Sequence, residues 1–200
     1  MSTQLFINAH IATGMPGSTA AETTAIQDIL VEDGKFISIA PNLKATLEAQ
    51  GKDMASVEVV NLGGKLVCPP FCDTHLHLDY VFTARKPGAV NESGTLFEGI
   101  QRWRETKADL TVDEIKERAK IGIAKEMRHG VQFIRSHADV TDPNLTSLKA
   151  LLELKEELKD TVTLQIVSFP QEGMYSYEGP HGESGADLVE EGLKMGADCV

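Results

Sequence analysis

Two histidines one residue apart, His75 and His77, are the side chains of this sequence best suited to chemistry. They follow an apolar run, Leu66-Val67-Cys68, and a Pro69-Pro70 bend. Neutral imidazole is the commonest metal ligand, and in a strand residues two apart share a face. His75 and His77 can therefore converge on one cation, with bonds of about 2.0–2.1 Å if the ion is zinc. A pair of surface histidines fits the same spacing. Asp79 lies two residues further on, where a carboxylate can orient the pair from a second layer. Cys68, Cys72 and Cys199 do not form the clustered spacing of a zinc site, and they read as small apolar residues in a reduced compartment, with the cytoplasm as the expected location.

Short strand-like runs precede Gly63. Leu5-Phe6-Ile7 opens the first, and Val57 to Leu62 forms another. Between them Ile26 to Val31 and Lys35 to Ile39 flank Asp33-Gly34, a hairpin signal. Leu43 to Gln50 reads as a helix. After Gly63 strands and helices alternate. Leu66 to His77 contains a strand, and Leu96 to Thr106 a helix. Thr111 to Met127 is a second helix, with a capping box from Thr111 and Glu114 and an apolar stripe of Ile115, Ala119, Ile123 and Met127. Val131 to His137 is the next strand. Asp142-Pro143 predicts the cap and first turn of a helix carrying Leu145, Leu148, Leu151, Leu152 and Leu158. Thr163 to Ser168 is a third strand, Asp187 to Met195 a helix ending at Gly196, and Ala197 to Val200 the start of a fourth strand.

Repeated βα units imply a parallel sheet. No glycine-rich phosphate fingerprint follows the first strand, as an open dinucleotide-binding sheet would require. Polar residues at strand ends instead suit a (β/α)8 barrel, whose active site lies at the strands' C-terminal ends. Such a barrel takes about 250 residues, and Cys68 to Val200 is roughly half of that. The expected fold is α/β: part of a small β-sandwich domain over residues 1–66, then the N-terminal half of a (β/α)8 TIM-like barrel over residues 67–200. The sequence is expected to be truncated.

Beyond the histidine pair, Cys68-Pro69-Pro70-Phe71-Cys72-Asp73-Thr74-His75-Leu76-His77-Leu78-Asp79 resembles the first-strand motif of the amidohydrolase superfamily, and Gly64 to Pro70 resembles its approach. Ser93-Gly94-Thr95-Leu96-Phe97-Glu98-Gly99-Ile100 with Arg102-Trp103 is similar to the segment that follows in cytosine deaminases. His137-Ala138-Asp139-Val140 resembles their second strand end, and Leu164 to Val167 with Phe169-Pro170-Gln171-Glu172-Gly173 their third. The resemblance implies that His75 and His77 ligate one divalent metal ion, iron or zinc. It implies that Gln171 hydrogen-bonds a nucleobase-like ring and that Leu96 walls the pocket. Gln171 also reads as a loop residue satisfying backbone, and Leu96 as an ordinary helix-face leucine. His137 either lines the site or, like Asp79, supports it from a second layer.

The implied reaction is hydrolytic deamination, cytosine to uracil plus ammonia. Related enzymes acting on isoguanine or N-substituted aminotriazines, and a non-catalytic truncated product, are the alternatives. The general acid/base Glu and the remaining ligands are implied after residue 200, so no catalytic residue is assigned within the sequence and the fragment itself is expected to be inactive. The long segment Glu172 to Ser184 and the stretch Arg85 to Asn91 depart from the bacterial cytosine deaminase pattern. Arg135 shares a strand face with His137 and suggests an ion-pair partner. Trp103 reads as helix packing, and Glu153, Glu156, Glu157 and Asp160 as a solvated helix face.

Composition excludes other classes. A formal net charge of −11 opposes nucleic-acid binding, which needs clustered Lys and Arg. No apolar stretch approaches the roughly 20 residues of a membrane span, and Met1 to His10 lack a signal peptide's basic and apolar regions. The expected partner is a small nucleobase-like molecule, with no nucleic acid and no membrane. The resemblance also implies a homo-oligomer.

Overall fold

A computed structural model describes residues 2–11 and 25–200. The chain divides into two compact units, Met1–Pro69 and Pro70–Val200.

In the first unit, β1 (Thr3–Ile11) lies between β2 (Ile26–Glu32), antiparallel to it, and β4 (Val57–Asn61), parallel to it. β3 (Lys35–Ala40) pairs antiparallel with β2, and β5 (Leu66–Val67) extends alongside β1. Asp33 (φ 48°) and Gly34 (φ 76°) make the β2–β3 turn, the positive-φ pair that matches the twist of a two-residue hairpin. One helix, α1 (Leu43–Ala49), packs its Leu43 with Leu5, Leu30 and Val57. Asp28 is buried, and its carboxylate accepts from the backbone N–H of Asn8 at 3.0 Å and of Leu43 at 2.9 Å. It thus satisfies an N–H at the start of α1 that no helix carbonyl can reach. The described residues of this unit form one sheet bearing one α-helix and a short 3-10 turn, Met54–Ser56.

The second unit is built on a parallel sheet in the order β6–β7–β8, from β6 (Phe71–Leu76), β7 (Val131–Asp139) and β8 (Thr163–Phe169). Its helices are α2 (Leu96–Lys107), α3 (Val112–Arg128), α4 (Thr146–Glu157) and α5 (Gly185–Met195). Ile134 and Ala138 of β7 and Leu164 and Ile166 of β8 are buried in one core with Ile115, Ala119 and Ile123 of α3 and Leu148, Leu151 and Leu154 of α4. On the opposite face of β7, Phe133 and Arg135 are exposed. This alternation is the period of two expected when helices cover one side of a sheet. After α5, Gly196 (φ 115°) reverses the chain, and the N–H of Ser168 donates to the Cys199 carbonyl, beginning a parallel pairing with β8.

Three local expectations change. The apolar run before the histidines is two strands, because Pro69-Pro70 divides it: β5 joins the first unit's sheet and β6 the second's. The helix expected from Asp142-Pro143 begins at Thr146. Asp142 accepts from Asn144 N–H at 3.0 Å and Thr146 N–H at 2.9 Å, and Leu145, in the left-handed region (φ 50°), is the N-cap. The aspartate caps a turn ahead of the helix as well as the helix itself. Thr111 caps α3 through Glu114 N–H, but Glu114 turns its carboxylate to Lys86. Among the described residues, no helix is long and apolar enough to cross a membrane.

Candidate active site

β6 ends at Leu76, so His75 sits within the strand and His77 just past it. Simple strand alternation therefore does not bring the two imidazoles together. Between Asp73 and Leu76 the register slips against β7, and the Asp73 carboxylate accepts from the His75 N–H at 2.9 Å. Such a bulge re-aims side chains, and bulges are common beside active sites. Beyond Leu76 the chain follows β7 through side chains. Leu78 N–H donates to Ser136 Oγ at 3.0 Å, His77 Nδ1 meets the His137 carbonyl at 3.2 Å, and Asp139 N–H donates to Asp79 Oδ2 at 2.9 Å. Ser136 and Asp79 are fully buried, so each bond replaces a ladder contact that the end of the strand would leave unmade.

The result is a cluster of three imidazoles. The ring centroids of His75 and His77 are 5.3 Å apart, and His137 stacks on His75 at 4.2 Å and lies 5.4 Å from His77. Burial, followed by the neighbouring rings of His137 and His75, lowers the His77 pKa to about 4. His77 is thus neutral near pH 7, and with Nδ1 engaged by a carbonyl its Nε2 lone pair is free to face a cation, the usual arrangement of a metal-binding histidine. Burial also lowers the pKa of His137, whose Nδ1 is buried without a hydrogen-bond partner among the described residues. Among the described residues, Asp79 hydrogen-bonds the backbone rather than either ring of the pair. Burial pushes its carboxyl up to about 7, and it accepts from the N–H groups of Asp139 and Tyr80.

His75 and His77 open onto a cavity of about 740 Å³, within the usual range for small-molecule sites. Its walls include Tyr80, Phe82, Leu96, Trp103, Phe169 and Gln171. Gln171 and Leu96 therefore share one cavity with the histidines. Leu96, the first residue of α2, is 74% exposed and gives an apolar rim rather than a closed wall. Tyr80 stacks on His77 at 4.6 Å and packs at a tilt against Trp103 at 4.7 Å. Arg135 is exposed and donates to the neutral amide of Gln165 at 2.6 Å, where an ion pair was expected. From the segment Glu172 to Ser184, Tyr177 and His181 line a neighbouring cavity of about 470 Å³. Glu153 and Glu157 are solvated but pair with Lys116 of α3.

The largest departure from the sequence reading is at Trp103, Lys107 and Asp139. Asp139 is 1% exposed. Its Oδ1 accepts from Thr141 N–H at 2.8 Å and Thr141 Oγ1 at 2.6 Å, and its Oδ2 from Trp103 Nε1 at 2.7 Å and Lys107 Nζ at 3.0 Å. A signal for this was present. His77-Leu78-Asp79 and His137-Ala138-Asp139 repeat one pattern at successive strand ends, and Trp103 and Lys107, four apart, share a helix face.

A two-histidine pair with a neutral, oriented His77 is chemically suited to a divalent cation. Among the described residues, no group of three or more His, Cys, Asp or Glu side chains could hold one. The residues present thus fit as part of a coordination shell.

The profile of the Amidohydrolase family matches residues 58–194. The chain belongs to the amidohydrolase family. Among solved structures, it superimposes on the 5-methylcytosine deaminase of Klebsiella pneumoniae with a TM-score of 0.78, at 36% identity in the phosphonocytosine complex, over 97% of this chain and 42% of that one. The N-isopropylammelide isopropylaminohydrolase of Burkholderia multivorans shares the fold at a TM-score of 0.72 and 24% identity, over 99% of this chain and 44% of that one. Among curated proteins, N-isopropylammelide isopropyl amidohydrolase of Pseudomonas sp. (strain ADP) is 29% identical over 90% of this chain and 42% of its own length. The chain thus spans well under half the length of these relatives. Its parallel sheet with helices on one face is the corresponding part of the barrel of these amidohydrolases.

Proposed function

We propose that this chain is the part of a hydrolytic deaminase that binds a nucleobase-like ring beside a divalent cation held by His75 and His77, with iron or zinc as the metal. The observation that carries the reading is the shared cavity: both imidazoles, Gln171 and Leu96 line one space. The likeness to 5-methylcytosine deaminase over nearly the whole chain supports a cytosine-like ring.

In this reading Gln171 offers its amide N–H and carbonyl to a ring edge that presents a carbonyl beside an N–H. Leu96 and Phe169 supply apolar surface to the ring faces. The His137 carbonyl holds the Nδ1 proton of His77, fixing the tautomer that leaves Nε2 free. When bound, the cation supplies a nucleophile by lowering the pKa of water toward neutrality. Overall, water adds at the ring carbon bearing the amino group, the carbon–nitrogen bond breaks, and the nitrogen leaves as ammonia with the added proton. Two imidazoles do not complete a shell, and among the described residues no carboxylate lines the cavity. The remaining ligands and the general acid/base Glu belong outside these residues, and the 200-residue chain alone is inactive. We further place the whole protein in the cytoplasm, acting on a small molecule as a homo-oligomer.

The likeness to the isopropylammelide hydrolase favours a second reading, hydrolysis of an N-substituted aminotriazine by the same site. The test is ammonia or amine release by the complete protein, with cytosine, 5-methylcytosine, isoguanine and N-alkylated aminotriazines as substrates. Turnover is expected on the cytosine ring and lost in His75→Ala and His77→Ala. Strong turnover of a triazine with little or none of cytosine moves the assignment to the second reading. Full turnover in both histidine variants overturns the site.

A further inference from the structure

We propose that Lys107 is a positioning residue that sets the width of the ring pocket by clamping helix α2 to the ends of β7 and β8; this rests on the ring-binding reading above. α2 forms one whole side of the cavity, through Leu96, Ile100, Trp103 and Thr106. Among the described residues, its ion pairs to the ends of the sheet come from its last turn. Lys107 Nζ lies 3.0 Å from Asp139 Oδ2, 2.7 Å from the Thr141 carbonyl, 3.0 Å from Thr141 Oγ1 and 2.7 Å from Glu172 Oε1. An ammonium has three protons to donate, so four acceptors saturate it and leave it none to offer a ligand. The Lys107 side chain is 10% exposed and that of Glu172 13%, which spares both contacts most of the screening that weakens surface pairs.

Each partner leads to the pocket. Asp139 also accepts the Trp103 indole N–H, and Trp103 packs at a tilt against Tyr80, which stacks on His77. Glu172 follows Gln171 directly, and Arg104, on α2, holds its second oxygen at 2.9 Å. The ammonium thus fixes three things at once: the α2 wall, the indole and the loop carrying Gln171. Without it, the wall of the cavity loosens, and a loosely held ring is bound less well than it is turned over.

Trp103 is the single tryptophan of these 200 residues; with any tryptophan outside them replaced by phenylalanine, its emission reports the clamp directly. The test is Lys107→Met and Glu172→Gln in the complete protein, with Lys116→Met, whose ion pairs lie on α3 and α4, as control. We expect Lys107→Met to shift Trp103 emission to the red and at least double its quenching by acrylamide. KM for the ring substrate should rise tenfold or more while kcat stays within threefold. Glu172→Gln should give a smaller change of the same sign, and Lys116→Met none. Glu172→Gln decides the matter if Lys107→Met does not fold. Unchanged emission and quenching in the folded variants overturn the clamp, as does a fall in kcat at constant KM. If no ring is turned over by the wild-type protein, the ring-binding reading fails separately, and emission and quenching still decide whether Lys107 holds the wall.

Discussion

Replacing Asp139 with asparagine changes one oxygen to NH2 and leaves the shape intact. The structure sets what that should do. The carboxylate takes Thr141 N–H, Thr141 Oγ1 and, at 3.4 Å, Gln171 N–H on one oxygen, and Trp103 Nε1 and Lys107 Nζ on the other. An amide placed with its oxygen toward Trp103 and Lys107 turns its NH2 on the Thr141 N–H, and only the hydroxyl can rotate to accept. In the other orientation it turns NH2 on the indole and the ammonium together. Each buried donor left without an acceptor costs about 1–3 kcal/mol, and removing one partner of the pair with Lys107 adds to it. The expected loss is about 3–5 kcal/mol. Against a total of about 5–15 kcal/mol for a domain, the second unit should still fold, with a smaller margin. Urea unfolding followed by Trp103 fluorescence measures it directly, since the indole is one of those donors. With an m-value of about 2 kcal/mol/M, the midpoint should fall by about 1.5–2.5 M. A midpoint within about 0.3 M of the unchanged protein, at the same m-value, would refute the view that this carboxylate organises the wall of the site.

Two further outcomes follow from local geometry. Gly192→Ala in α5 gains about 1 kcal/mol of helix propensity, but its Cβ would lie 2.5 Å from Ser168 Oγ and 3.1 Å from Leu148 Cδ2; Ser168 is fully buried and donates to the Val189 carbonyl, so overpacking of about 1–3 kcal/mol wins, and thermal melting should show a lower midpoint that Ser168→Ala largely restores. The Glu98 carboxyl is held at about 2, first by the Ser93 side chain and then by the N–H groups of Ser93 and Glu92. A depressed folded pKa means that its contribution is complete above the ordinary value of 4.5 and is lost as pH falls through about 2; a side-chain carbon-13 titration should find no Glu98 inflection near 4.5, and an inflection there would contradict the loop geometry.

Much of the fold can be read from the sequence because local signals agree with one another. Asp33-Gly34 supplies the positive φ its hairpin needs, and the Ile115-Ala119-Ile123 stripe faces the sheet because its period is that of a helix. The Asp142 cap misleads because an Asx side chain serves a turn as readily as a helix start. The histidine pair is legible as residue types, but its geometry is not: a bulge at Asp73 and three side-chain bonds to β7 aim the rings, and none of these is periodic. The knot of Trp103, Lys107 and Asp139 is hidden for a similar reason. Its members lie 32 and 36 residues apart, and only the packing of α2 against the ends of β7 and β8 makes them neighbours.

The central claim is that His75 and His77 grip a divalent cation. Cobalt(II), added to the chain with its histidine rings labelled with nitrogen-15, puts that claim to a direct test because ligating rings show paramagnetic contact shifts. Such shifts are expected at His75 and His77, not at His10, His129 or His181, and should vanish when both histidines are replaced by alanine. Contact shifts that survive the double replacement, or that fall on the other histidines, would contradict it.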